Sequence, residues 1–283
     1  MTAAPTARSR AIRVALAYWL FEAVLSLVIA LPVRSVVERA YGAHPEGDAV
    51  LFRAGSLELA ELVYRFDPAM SLFPTLLVTV AAVALIIGHV PLAGAIAYLD
   101  DQDDWARAAL RSFFRMLAAF ASFGVLRWLV LGSGVALAFW VAGARVELHG
   151  EVSAFQWGVA TTIPFALFFW ALSAAEDFAY VGVVRTGASF DAAQATWRAL
   201  RGKRLAAMLY FGAVVAGNVL LIGTASAVAG LLGGGKGGAA LVALFVAHQS
   251  VQFTRILLKV RWLSYVIGRH RAADVNLPPE PAT

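Results

Sequence analysis

Six long apolar stretches constrain this chain more than any other feature. They run Val14–Val33, Leu72–Leu99, Met116–Ala144, Phe155–Ala175, Leu205–Leu232 and Ala239–Val260. About 20 mostly apolar residues suffice for a helix to cross hydrocarbon. The chain is therefore expected to be all-α, a polytopic membrane helical bundle of about six transmembrane helices. Charge supports this: 14% of residues are Asp, Glu, Lys or Arg, against ~25% in a soluble domain. That is too little polar surface to coat a water-soluble globule. The second, third and fifth stretches are longer than a span needs, which predicts tilt or extension past the bilayer. Pro74 and Pro91 remove backbone donors in the second stretch and predict a kink there.

Arg8, Arg10 and Arg13 precede the first stretch, as in a signal peptide. Glu22 lies inside that stretch, however, and no small-x-small cleavage site stands near Leu31–Arg34, so a retained helix is expected. Residues 1–276 then form one six-span domain, and the polar, Pro-rich tail 277–283 is expected to be disordered. The long connection 34–71 places Phe52, Leu59, Leu62, Val63 and Phe66 on one helical face, with Glu61 and Arg65 paired on another. This predicts an amphipathic helix lying on the outer surface. The glycine run Gly233–Gly238 predicts a short external hairpin.

Lys and Arg distribution sets the expected orientation. One side gathers 16 of the 23 cations: the N-terminus, the Arg107/Arg111/Arg115 segment, the Arg185–Arg204 connection and the C-terminal end. Six fall on the other side, and Arg127 lies within a span. The expected location is the cytoplasmic (inner) membrane with both termini cytoplasmic. A net charge of +5 then reflects topology, and no nucleic-acid partner is implied. Trp105 with Arg107, Arg111 and Arg115 leads into the third span, and Trp197 with Arg198, Arg201 and Arg204 leads into the fifth. The match suggests a 3+3 pseudo-repeat, or a coincidence, since basic segments with Trp are common at interfaces.

The candidate chemistry is sparse. With no cysteine, thiolate metal sites and cysteine nucleophiles are excluded. Asp100-Asp101-Gln102-Asp103-Asp104 has the spacing by which membrane prenyltransferases hold Mg²⁺ on a diphosphate, because hard cations want several carboxylate oxygens. The plainer reading is a solvated acidic helix start, with Asp103 or Asp104 as cap. The equivalent loop offers only Asp191, and a second acidic cluster is lacking. Gly230–Lys236 imitates the start of a P-loop, but Gly237 stands where Ser or Thr should hold Mg²⁺. No cofactor is expected.

Ionisable groups within spans are expensive in lipid and are the best functional clue. Glu22, His89 and Arg127 lie on three helices at similar depth, ~12–16 Å from the cytoplasmic border. His248, Gln252, Arg255 and Lys259 form one stripe of the sixth span, and Glu176 and Asp177 end the fourth. Either they line a polar cavity or they tie helices together. Depth counting predicts an ion pair from Arg255 to Asp177 or Glu176. Arg107, Arg111, Arg115, Arg198, Arg201 and Arg204 are candidate contacts to anionic lipid headgroups.

The segment Asp177-Phe-Ala-Tyr-Val-Gly-Val-Val-Arg185, then Gly187-Ala-Ser-Phe-Asp-Ala-Ala193 and Trp197-Arg-Ala-Leu-Arg201, resembles a group of uncharacterised bacterial six-helix membrane proteins, as does the external Leu62-Val-Tyr-Arg-Phe66-Asp-Pro68. A looser similarity is to the membrane domain attached to some glycerophosphodiester phosphodiesterases. The resemblance implies the six-helix fold and a link to lipid or envelope biology. It carries over no catalytic residue, and the phosphodiesterase barrel is absent from this sequence. The expected function is a non-enzymatic module in lipid and envelope homeostasis, with membrane lipids as partners. The alternatives are a transporter-like protein built around Glu22, His89 and Arg127, and a lipid-diphosphate enzyme using Asp100–Asp104.

Overall fold

The computed structural model describes residues 7–41, 72–232 and 238–275, and these are almost wholly helical, with no strand among them. Among the described residues seven helices follow one another: α1 (Ala7–Tyr41), α2 (Leu72–Leu99), α3 (Trp105–Val146), α4 (Gly150–Thr186), α5 (Ser189–Leu200), α6 (Arg204–Leu232) and α7 (Gly238–Val275). Helix α2 has the limits expected from its apolar run. The others outrun theirs: α1 continues eight residues past Val33, α3 starts at Trp105 rather than Met116, and α7 continues to Val275. The amphipathic segment expected around Phe52–Phe66, most of the glycine hairpin and the tail 277–283 lie outside the described residues.

Four helical stretches among the described residues are long and apolar enough to cross a membrane: Arg8–Val28, Trp105–Val146, Gly150–Thr186 and Arg204–Leu231. Ile86–Leu99, within the longer α2, is apolar as well.

The chain forms two compact units, Leu16–Gly88 and the remainder, Met1–Ala15 with His89–Thr283. In the smaller unit, Leu20, Val24, Leu27, Val28 and Leu31 of α1 stand exposed, as do Val83, Ile86 and Ile87 of α2. Exposure of so many large apolar side chains suits lipid rather than water.

The larger unit is built from two antiparallel hairpins. Helices α3 and α4 fold back at Gly150, whose φ of 78° lies in the left-handed region that glycine enters without penalty. Arg145 stacks on Trp157 near the bend, and Arg127 lies over Phe169 further along, so steps down α3 match steps up α4. Helices α6 and α7 pair likewise: Phe211 meets Trp262, and Asn218 meets Arg255. Helix α5 is short and amphipathic. It buries Ala192, Ala195 and Ala199, a 3/4-spaced face. It lies close on α4 because Gly182 has no side chain: a Cβ there would sit 2.9 Å from the Ala192 carbonyl oxygen.

The packed core is not spread along the spans. It collects at one end, from Ala93, Ile96 and Ala97 of α2, Met116 of α3, Phe178 and Val181 of α4, Ala192 and Ala199 of α5, Phe211 and Val214 of α6, and Trp262, Leu263 and Val266 of α7. Towards Gly150, α3 and α4 expose Trp128, Phe139, Trp140 and Phe155 instead.

Candidate functional site

Adjacent carboxylates on α4 organise the polar interior of the larger unit. Successive helical residues point ~100° apart, so Glu176 and Asp177 face different neighbours. The expectation that they end the fourth span is corrected by the helix, which runs on to Thr186. Glu176 is buried and takes a two-pronged contact from Arg127 of α3, with Nη2 2.9 Å from Oε1 and 2.8 Å from Oε2. Tyr180, one turn along α4, donates its hydroxyl to Oε1 at 2.6 Å. The Nε2 of His89 on α2 stands 3.3 Å from the same hydroxyl. Asp177, also buried, receives Lys259 Nζ of α7 at 2.6 and 2.7 Å and the indole Nε1 of Trp262 at 2.7 Å.

The expected pair from Arg255 to these carboxylates does not form. Arg255 Nε donates to Asn218 of α6 at 3.2 Å, and Nη1 contacts Gln252 at 3.3 Å. The cation that reaches Asp177 is one turn further along the same stripe. A turn is ~5.4 Å of rise, within the error of counting depth from an uncertain span end. Of the candidate intramembrane cluster, His89, Arg127 and Glu176 share one network, Asp177 belongs to a second, and Gln252 and Arg255 to a third. His248 is exposed and lines an open apolar groove of about 390 Å³ with Ala225, Ala229, Leu244, Phe245 and Ala247. Glu22 lies half-buried in the smaller unit.

A second constellation was hidden in the sequence. The acidic run Asp100–Asp104 is not simply a solvated helix start. The Asp100 carboxylate is buried, accepting Arg271 Nε at 2.8 Å with Arg185 Nη1 at 3.4 Å, and Arg185 Nη2 also reaches Asp274 at 2.9 Å. Asp101 sits at φ 62° in the α2–α3 turn and pairs with Arg10 and Arg271. Asp104 occupies the cap position of α3 but makes no capping bond, since its backbone is not extended there; it pairs with Arg107 at 3.0 Å. Asp100 and Asp101 thus share Arg271 while Asp104 turns to Arg107, and no group of three metal-ligating side chains exists among the described residues. This hub ties the start of α1 to the ends of α2, α4 and α7. No sequence motif announces it, because Arg271 and Asp274 read as a polar end of α7.

Beside the hub, ten residues past the expected end of the sixth span, His270 is buried with Nε2 3.1 Å from the Phe178 carbonyl oxygen. Burial pushes its pKa down to about 4; the Phe178 contact opposes this and nearby Arg185 assists it. A folded-state pKa below the unfolded value stabilises the fold above the unfolded pKa of ~6.5, and that contribution is lost as pH falls towards 4. Thermal unfolding in detergent should therefore show the wild type losing more stability than His270→Gln between pH 6.5 and 4.

The candidate headgroup contacts divide. Arg107 is paired with Asp104, whereas Arg111, Arg115 and Arg201 are exposed and Arg198 is half-buried. Arg204 lies 4.3 Å over the Trp197 ring. The two halves of the expected repeat also differ locally: α3 carries its basic segment within one continuous helix, whereas α5 and α6 are separate. The chain matches no protein-family model, no curated protein and no solved structure.

Proposed function

We propose that this protein is a non-enzymatic six-span module of the bacterial-type cytoplasmic membrane, serving lipid and envelope homeostasis through helix packing and headgroup contact. The observation that carries the reading is charge pairing: Glu176 is neutralised by Arg127, and Asp177 by Lys259. A conduit for ions or polar solutes wants charges that are free to exchange partners with its cargo. Here both acidic groups are held by cations from other helices and by an aromatic donor each. The arrangement supports helix ties over a transport path, and the pairing of Asp100, Asp101 and Asp104 with arginines favours it over a diphosphate-binding enzyme. The resemblance to six-helix bacterial membrane proteins points the same way. Proteoliposomes holding the protein should dissipate an imposed proton or Na⁺ gradient no faster than empty vesicles. A gradient decay slowed by Glu176→Gln would promote the transporter reading instead.

The orientation we propose puts both termini, the Arg111 segment and the Arg201 segment in the cytoplasm. The start of α1 and the end of α7 meet at the Asp100–Asp101 turn, which favours an even number of crossings. Reporter fusions test it: those at Gly55 and Lys236 should read as external and one at the C-terminus as cytoplasmic. A cytoplasmic signal at Gly55 reverses the assignment.

A further inference from the structure

We infer that the elbow between α5 and α6 is a binding site for the phosphate of an anionic phospholipid of the surrounding membrane. This rests on the membrane-module reading and names the partner of that surface. Arg198, Arg201, Lys203 and Arg204 put four cations in seven residues. None of the four forms an ion pair among the described residues. Among the described residues, Asp100, Asp101, Asp104, Asp177 and Asp274 each hold another cation, and Asp191 of α5 pairs with none of the four. Among the described residues the elbow therefore keeps its positive charge, which an anionic group can complement.

The elbow is also built to hold its shape. Helix α5 buries Ala192, Ala195 and Ala199. Thr196 donates to the Phe178 carbonyl at 3.2 Å, and Arg269 Nη2 donates to the Ala199 carbonyl at 3.0 Å, placing a cation at the negative end of the helix. The Arg204 guanidinium rests on Trp197, which fixes its plane. Phe190 and Trp197, seven residues apart on α5, are exposed on one face, and Leu205, at the start of α6, is exposed too. Aromatic rings at headgroup level, cations above them and an apolar side chain opening a span are the features that fit a phospholipid: phosphate to the cations, glycerol to the rings, acyl chain to α6.

The full-length chain is reconstituted in phosphatidylcholine, and spin-labelled phosphatidylglycerol and phosphatidylcholine are compared for residence at the protein boundary. The wild type should prefer phosphatidylglycerol, and the preference should weaken with salt. Arg201→Gln with Lys203→Gln should cut it by roughly 25-fold, since each of the two cations near the surface is worth about fivefold. Arg201→Lys, which keeps the charge, should retain it, as should Arg145→Gln near the opposite bend. An unaltered preference in the double variant, an equal loss in Arg145→Gln, or no preference in the wild type overturns the site. Those outcomes leave the gradient assay untouched, whereas gradient dissipation would overturn the module reading without altering lipid preference.

Discussion

Glu176→Leu should lower the stability of the detergent-solubilised bundle by about 3–5 kcal/mol, the usual loss when one partner of a buried ion pair is removed. The substitution leaves Arg127 without a counter-charge and Tyr180 without its acceptor. Arg127 lies well inside α3 with its side chain mostly covered, so water cannot replace the carboxylate cheaply. An unpaired Arg near mid-span costs ~2.5 kcal/mol or more by insertion scales, consistent with the lower part of that range. Chemical denaturation followed by tryptophan fluorescence reads the loss. A change under about 1 kcal/mol would mean that Arg127 finds another partner or that the pair is already wet.

Asp100→Leu should have the next largest effect, about 2 kcal/mol. Its carboxylate is buried, but Arg271 is nearly half exposed and Arg185 keeps Asp274; solvent screening of the first and the retained pairing of the second soften the loss. The effect should also have a location. Asp100 joins the end of α2 to the ends of α4 and α7. Hydrogen exchange should therefore accelerate in the last turns of α7 while α3 and α4 near Gly150 keep their rates. Uniform acceleration throughout would show that the hub is not a local staple.

The apolar runs announced the helices and their order, because in lipid a chain must satisfy its backbone internally. The run Leu72–Leu99 coincides with α2. The start of α3 was less legible: Trp105, Arg107, Arg111 and Arg115 break the apolar pattern while the helix passes straight through them. The extension of α7 is similar, since Arg261, Arg269 and Arg271 end the hydropathic signal but not the hydrogen bonding. Side-chain partners were the least legible. Arg255 and Lys259 lie one turn apart on one face, and only packing decides that the lysine meets Asp177 and the arginine meets Asn218. Trp262 offered no polar signal at all, yet its indole completes the Asp177 site. Glu22, grouped by depth with His89 and Arg127, belongs to the smaller unit, and depth alone says nothing of which helices are neighbours.

The central claim is that intramembrane charge in this protein ties helices together, and the Arg127–Glu176 coupling tests it most directly. Unfolding free energies are needed for the wild type, Arg127→Leu, Glu176→Leu and the double variant. Each single change strands one charge in a site that excludes water; the double change strands none. The account predicts that the double variant is more stable than either single one, with a favourable coupling of about 2 kcal/mol or more. Additive losses, with the double variant the least stable of the four, would contradict it.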